Sequence, residues 1–206
     1  MIIIGVTGNA GAGKSTVSTI IKNNLGCTVI SADNLAKKVN IPGSEYYEKT
    51  LEMFGEEILN EDKSIDRKAL AKILFSDAEI KRKMDALTAK YIGAELLRLA
   101  KEENKNPKNE FLVLDVPLLY ECGIYKICNY VIAVTCEEEE TKIDRIVERD
   151  RRTKAEAKAI INSQPDNEFY ISKADYSVFN NKDSSYLNLI KGVIKIIRDI
   201  KMKNNK

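Results

Sequence analysis

The sequence contains no histidine among its 206 residues. Without an imidazole, neither a Ser-His nor a Cys-His nucleophile system can be built, and a His-ligated zinc site is excluded as well. Acid–base chemistry must therefore come from carboxylates, lysine or water.

The sequence also lacks a long apolar run. The run Met1–Ile4 stops at Gly5, far short of the roughly 20 residues that cross a membrane, and no signal-peptide h-region is present. The net charge of +2 is too small to indicate a nucleic acid or an anionic membrane as a partner. We therefore expect a cytoplasmic protein that binds neither, as a monomer or a weak homo-oligomer.

Cysteine is scarce and scattered. The four cysteines include no C-x-x-C pair, so we expect reduced thiols that are mostly buried. They are Cys27, Cys122, Cys128 and Cys136.

Short β-branched segments alternate with helical patterns along the chain. The predicted strands are Ile2–Thr7, Thr28–Ser31, Phe111–Asp115, Tyr130–Thr135 and Tyr176–Phe179. The connections are long enough for right-handed crossovers, which predicts a mainly parallel five-stranded sheet with helices on both faces. Such a three-layer α/β fold binds ligands at the carboxyl ends of its strands. Residues 33–104 exceed one crossover helix, so we expect a small helical subdomain there.

The segment Gly8–Ser15 (GNAGAGKS) matches the phosphate-loop pattern G-x-x-x-x-G-K-[ST]. Its glycines allow backbone angles that let amide N–H groups close around phosphate oxygens. Lys14 reaches the β- and γ-phosphates, and the Ser15 hydroxyl ligates Mg²⁺. The segment lies between a strand and a helix, as this function requires, so we predict a P-loop NTPase fold that binds ATP and Mg²⁺. The predicted ATP contacts are Gly8, Gly11, Ala12, Gly13, Lys14, Ser15 and Thr16.

The loop alone does not identify the reaction. A GTP switch is disfavoured because Asp115 is followed by Val-Pro-Leu rather than the D-x-x-G pattern. Asn181-Lys182 is followed at once by Asp183, one place too early for N-K-x-D. A small-molecule kinase remains, which needs a group that orients the acceptor and a basic lid.

Two aspartates lie at the predicted ligand-binding edge of the sheet. Asp33 follows the second strand and could orient an acceptor hydroxyl, or it could be the N-cap of the next helix. Asp115 ends the third strand and could hold the Mg²⁺ shell, or its carboxylate could be satisfied in the following turn.

The helical stretch Glu137–Asn162 is rich in charge. Its Arg145 and Arg149 share a helical face at a spacing of four residues and could clamp phosphoryl oxygens. The alternative is a solvated helix whose arginines pair with neighbouring acidic residues.

Several segments in order resemble the dephospho-coenzyme A kinase family. They are residues 4–16 (IGVTGNAGAGKST), 31–39 (SADNLAKKV), 54–77 (FGEEILNEDKSIDRKALAKILFSD), 114–123 (LDVPLLYECG), 145–150 (RIVERD), 161–164 (INSQ) and 173–181 (KADYSVFNN). Together they spread over roughly residues 2–181, and the combination is specific.

The resemblance implies transfer of the ATP γ-phosphoryl to the 3′-hydroxyl of dephospho-CoA, the last step in making coenzyme A. It implies a single domain with its core at about 1–32, 105–140 and 170–206, a CoA-binding subdomain at about 33–104 and a lid at about 141–169. In this scheme Asp33 and Lys14 are catalytic together with Arg145 and Arg149 of the lid. Asn180 lies near the adenine. The acceptor side is lined by Pro117, Leu118, Leu119 and Glu121. Ser15 and Asp115 hold the metal.

The sequence departs from the family pattern at two places. Ala89-Lys90 stands where family members usually have His-Pro, and Ser31 stands where a first aspartate is frequent. Asp33 must then suffice as the carboxylate. Another P-loop small-molecule or nucleoside monophosphate kinase, and a non-catalytic ATP-binding protein, stay as alternatives.

Overall fold

Five parallel strands form one sheet in the order β2-β3-β1-β4-β5. The computed structural model describes residues 1–182 and 185–204, so Asp183 and the last two residues of the predicted core lie outside the described residues. The strands are β1 (Ile2–Thr7), β2 (Thr28–Ser31), β3 (Phe111–Asp115), β4 (Tyr130–Thr135) and β5 (Tyr176–Phe179). The predicted parallel sheet is confirmed, and every strand-to-strand pairing is parallel.

Nine helices surround the sheet in the part of the chain that the structure describes. They are α1 (Lys14–Leu25), α2 (Ala32–Val39), α3 (Glu45–Phe54), α4 (Arg67–Ser76), α5 (Ala78–Lys105), α6 (Glu139–Asp150), α7 (Lys154–Asn162), α8 (Asn167–Ile171) and α9 (Tyr186–Asn204). Short 3₁₀ turns cover Glu56–Ile58 and Ile124–Ile127.

Alternation along the strands divides the core into two layers. Ile4 and Val6 of β1 pack with the apolar faces of α1 and α9. Ile3 points the other way and packs with residues of α2 to α5. This period of two gives a sheet covered on both faces, which explains why its strands are apolar throughout.

The region after β2 contains four helices, α2 to α5, and is thus more than one crossover helix. The last of them, α5, is a single helix of 28 residues that continues through Ala89-Lys90. The stretch Glu137–Asn162, in contrast, is two helices and not one. Arg151 adopts a left-handed conformation with φ of 53° and ends α6, and Thr153 then begins α7 with a capping box to Glu156.

The remaining expectations concern membranes and thiols. Within residues 1–182 and 185–204, no helix combines the length and apolar character that a membrane span needs. All four cysteines are free; Cys27 and Cys136 are buried, and the other two are half-buried.

Candidate functional site

The phosphate loop connects the end of β1 to the start of α1. Gly8, Gly11 and Gly13 have φ angles of 137°, 74° and 95°. A Cβ on Gly8 would lie 2.0 Å from the carbonyl oxygen of Val134, and one on Gly11 would lie 2.5 Å from that of Lys142. Glycine is required here both by backbone conformation and by close contact with neighbouring backbone.

Lys14 lies inside this loop. Its Nζ donates hydrogen bonds to the carbonyl oxygens of Gly8 and Asn9, both at 2.9 Å. Burial lowers the pKa of Lys14, and the charges of Asp115 and Asp33 oppose that shift. The ammonium is thus held in place beside two carboxylates.

A cleft of about 450 Å³ opens above the loop. It brings together nine of the predicted site residues with four that were not predicted. Its lining comprises Gly11, Gly13, Lys14, Ser15, Thr16, Asp33, Arg145, Arg149, Asn180, Asn181, Lys182, Tyr186 and Leu189. Gly8 and Ala12 are buried in the loop behind this surface.

Asp33 is exposed in the first turn of α2. The N-cap of that helix is Ser31, whose hydroxyl accepts a hydrogen bond from the Asn34 amide at 3.4 Å, so the N-cap interpretation of Asp33 is wrong. The carboxylate is close enough to Lys14 and Arg149 to favour the charged form of each. It therefore faces the cleft and is free to meet a ligand.

Asp115 ends β3 and is only 5% exposed. Burial raises the pKa of this carboxyl group, while the nearby Lys14 charge and the Ser15 hydroxyl lower it. The following amide, Val116 N–H, donates to the carbonyl oxygen of Val6 at 3.0 Å and not to the carboxylate. The Asp115 carboxylate is thus directed toward the loop.

The oxygen donors of Asp115 and Ser15 fit Mg²⁺. No cluster of three or more His, Cys, Asp or Glu side chains occurs in the described ranges 1–182 and 185–204. Mg²⁺ does not need one, because it is usually held by one or two carboxylates with phosphate oxygens and water. A hydroxyl beside a single carboxylate at the phosphate loop is such a donor set.

The two arginines of α6 have different surroundings. Arg145 donates through Nη1 to the carbonyl oxygens of Gly11 (3.1 Å) and Asn180 (2.9 Å). Arg149 is exposed and donates through Nε and Nη2 to the carboxylate of Asp150 at 2.8 and 2.7 Å. Arg145 is thus bonded to the phosphate loop itself, whereas Arg149 extends from the last turn of α6 into the cleft.

Asn180 lies directly behind the phosphate loop. Its Nδ2 donates to the carbonyl oxygen of Ala12 at 2.8 Å, and its backbone N–H donates to Thr135 at 2.8 Å. A Cβ on Gly13 would lie 2.2 Å from that Nδ2. Asn180 therefore supports the loop from below and also lines the cleft.

The predicted acceptor segment follows β3. The carbonyl oxygen of Pro117 accepts a hydrogen bond from the Thr7 hydroxyl at 3.2 Å. Leu119 is completely buried and packs under Gly5 of β1, so its side chain belongs to the core in this conformation. Pro117 and Leu118 are half-buried and Glu121 is exposed, but none of the four lines the cleft above the loop.

Asn9 of the phosphate loop, and Gln164 and Pro165, which contact the loop, were not predicted as site residues. Gln164 accepts a hydrogen bond from the Ala10 amide at 2.8 Å, and Asn9 Nδ2 donates to the carbonyl oxygen of Pro165 at 2.6 Å. The INSQ segment was a signal for Gln164, but its spacing does not reveal the contact. Asn9 occupies a variable position of the loop pattern and carries no such signal.

Two other features contribute no chemistry to this site. A larger groove of about 900 Å³ runs between β5 and α9 but contains no residue of the phosphate loop. Burial raises the pKa of the Cys122 thiol to about 11 and that of Cys128 to about 12. Both thiols are therefore protonated at neutral pH and are poor nucleophiles.

Comparison with known proteins agrees with this geometry. The family model for dephospho-CoA kinase matches residues 2–185. The dephospho-CoA kinase of Fusobacterium nucleatum is 36% identical over 183 residues, which cover 89% of this chain and 91% of that protein. The enzyme of the same name from Listeria monocytogenes is 37% identical over 179 residues, covering 87% and 88%.

A solved structure shares both the fold and the sequence pattern. The dephospho-CoA kinase from Campylobacter jejuni superposes with a TM-score of 0.65 and 32% identity, over 98% of each chain.

Proposed function

The chain belongs to the dephospho-CoA kinase family, and we propose that its Asp33, Lys14 and Arg149 carry the family's reaction in the cleft above the phosphate loop. The enzyme transfers the γ-phosphoryl group of ATP to the 3′-hydroxyl of the dephospho-CoA ribose and so completes coenzyme A. The observation that carries the assignment of residues is the position of Asp33, exposed in the cleft and facing both Lys14 and Arg149.

Lys14 and the loop amides bind the triphosphate. A lysine ammonium has three N–H donors, and two of those of Lys14 are given to the carbonyl oxygens of Gly8 and Asn9. The third is available to a phosphate oxygen. The two carbonyl bonds fix the direction of the charge before ATP arrives, which is the preorganisation that electrostatic stabilisation requires.

Asp33 orients the acceptor. Its carboxylate accepts the hydrogen bond of the ribose hydroxyl and takes the proton late, because a loose phosphoryl-transfer transition state needs little base strength. Ser31 caps α2, so the carboxylate is not engaged by its own helix.

The two lid arginines have different roles. Arg149, now paired with Asp150, exchanges that partner for phosphoryl oxygens as the lid closes. Arg145 donates three hydrogen bonds, one to Gly11 and two to Asn180, and thereby positions the loop. Closure also excludes water, which would otherwise accept the phosphoryl group.

The Ser15 hydroxyl would hold Mg²⁺ directly, and the Asp115 carboxylate would hold it through bound water. When bound, it neutralises charge that develops on the phosphate oxygens. Asn180 supports the loop at the side where we place the adenine, and Pro117, Leu118 and Glu121 form the edge along which we place dephospho-CoA.

The proposal is tested by ADP release with a panel of acceptors. We expect turnover with dephospho-CoA and none above background with AMP, CMP or a sugar acid. Turnover with AMP or CMP instead would favour a nucleoside monophosphate kinase. Tight ATP binding without turnover on any acceptor would favour a non-catalytic ATP-binding protein.

A further inference from the structure

Asn9 and Ala10 of the phosphate loop are held by the chain segment that follows α7. Gln164 Oε1 accepts the hydrogen bond of the Ala10 N–H at 2.8 Å. One residue later, the carbonyl oxygen of Pro165 accepts from the Asn9 side chain at 2.6 Å. Asn9 is buried, with 2% of its surface exposed, and Pro165 is half-buried, so water has only partial access to this second bond.

Packing supports the same contact. The Ala10 side chain lies against a small apolar cluster that α6 and α7 form between them. That cluster consists of Ile143, Ile146, Ala157 and Ile161. Gln164 lies three residues after Ile161, so α6 and α7 and the Gln164 carboxamide contact the loop side by side.

The chemistry of the carboxamide suits this place. Ala10 and Gln164 are both half-buried, and the Gln164 oxygen provides the acceptor that the Ala10 N–H needs where water has limited access. A glutamate would accept the same bond, but it would bring a negative charge next to the site of an anionic triphosphate. Glutamine satisfies the amide and stays neutral.

We propose that Gln164 is a positioning residue that couples the seating of α6 and α7 to the conformation of the phosphate loop. While the carboxamide holds Ala10, the loop keeps its shape for the triphosphate and the helix pair stays in place to exclude water. When the contact is lost, both fail together. This inference rests on the proposed function, because exclusion of water matters to an enzyme that transfers a phosphoryl group to another acceptor.

The test replaces the acceptor oxygen and keeps the shape. Gln164→Met has a similar length but no oxygen to accept the Ala10 N–H. We expect its KM for ATP to rise about fivefold to tenfold, the effect of one lost hydrogen bond. We also expect ATP hydrolysis without acceptor, divided by transfer to dephospho-CoA, to rise several-fold. A role confined to stability would change the melting temperature and leave this ratio at the wild-type value.

Two further variants serve as rescue and control. Gln164→Glu keeps an acceptor oxygen, so its hydrolysis-to-transfer ratio should stay near wild type even if its charge weakens ATP binding. Asn162→Met places the same side chain at an exposed position of the same helix end and should match wild type in both readouts. Should Gln164→Met fail to fold, Gln164→Ala replaces it with the same expectations.

The inference is overturned if Gln164→Met keeps both the ATP KM and the hydrolysis ratio within twofold of wild type, or if Gln164→Glu shows the same increased ratio as Gln164→Met. Failure of the proposed function has a separate signature. In that case the wild-type chain itself would not phosphorylate dephospho-CoA, while the weaker binding of a non-hydrolysable ATP analogue by Gln164→Met would still report the contact with Ala10.

Discussion

Two carboxylates at one edge of the sheet differ mainly in their access to water. Asp33 is exposed in the first turn of α2, whereas Asp115 is buried at the end of β3. An exposed carboxylate can exchange its hydration for a hydrogen bond to an incoming hydroxyl. A buried one beside a lysine and a serine hydroxyl is suited to a bound cation.

Asp33→Asn tests the first of these roles. The amide keeps the size of the side chain but accepts no proton, so we expect kcat to fall at least about 100-fold, with the KM for ATP changed less than about threefold. Glu48→Gln is the matched control, because it also removes a charge from an exposed position in the first turn of a helix. Near wild-type turnover in Asp33→Asn would refute the assignment.

The raised pKa of Asp115 predicts that the stability of the fold depends on pH. Burial raises its pKa in the folded chain above the unfolded value of about 3.9. Between those two pKa values the folded chain retains a proton that the unfolded chain releases, so this group makes folding less favourable as pH rises through the window.

Asp115→Asn does not titrate, so its melting temperature relative to wild type should rise as the pH increases from about 4, near the unfolded pKa, to about 7.5. Thermal melts of the ligand-free proteins at the two pH values measure the difference. A difference that is the same at both pH values, or larger at the lower pH, would contradict the raised pKa of the buried Asp115 carboxyl group.

At the scale of elements, the phosphate loop fits between strand and helix only because its backbone approaches other backbone closely. β4 lies directly against Gly8, and the start of α6 lies against Gly11. The loop is therefore part of the packing between β1, β4 and α6 as well as a ligand site. A change in it affects stability and binding together.

Gly8→Ala should lower the free energy of unfolding by at least about 2 kcal/mol. The new Cβ would combine a φ of 137° with a distance of 2.0 Å to the Val134 carbonyl oxygen, and that oxygen belongs to backbone that moves little. Urea denaturation measures the change. Gly192→Ala is the control, since its Cβ would meet nothing within 4 Å in α9 and should leave stability equal or higher. Equal midpoints for the two variants would disprove the crowding argument.

At the scale of the whole molecule, the cleft joins elements that are remote in sequence. Its wall includes α1, the start of α2, α6 and the start of α9. A ligand that fills it contacts all of these at once, so binding should stabilise the entire fold and not only the loop.

ATP with Mg²⁺ at about 100 times Kd should add about 2.7 kcal/mol, which corresponds to about 5–10 °C in melting temperature for a chain of this size. Lys14→Ala should abolish most of that shift, whereas Lys108→Ala, in the exposed segment before β3, should retain it. Differential scanning fluorimetry with and without the nucleotide provides the measurement. An undiminished shift in Lys14→Ala would contradict the role of Lys14.

Much of the fold was predictable because its signals are local. The five strands are β-branched runs bounded by turn residues, and their predicted bounds agree with the structure. The phosphate loop is equally local, since its glycines and Lys14 act within eight consecutive residues. The break at Arg151 was missed because an arginine in a left-handed conformation gives no compositional signal.

Tertiary packing decided which groups meet. Arg145 bonds to Gly11 across 134 residues, and Gln164 bonds to Ala10 across 154. Such contacts depend on how α6 and α7 are placed on the sheet, and no spacing along the chain encodes that placement. For the same reason, Leu119 looks like its neighbours in the sequence, yet it is buried under β1 because the turn that follows β3 directs its side chain toward Gly5. The local sequence therefore determines the strands and the phosphate loop. The contacts that support the loop are determined only by tertiary packing, because they join residues that are remote in the sequence.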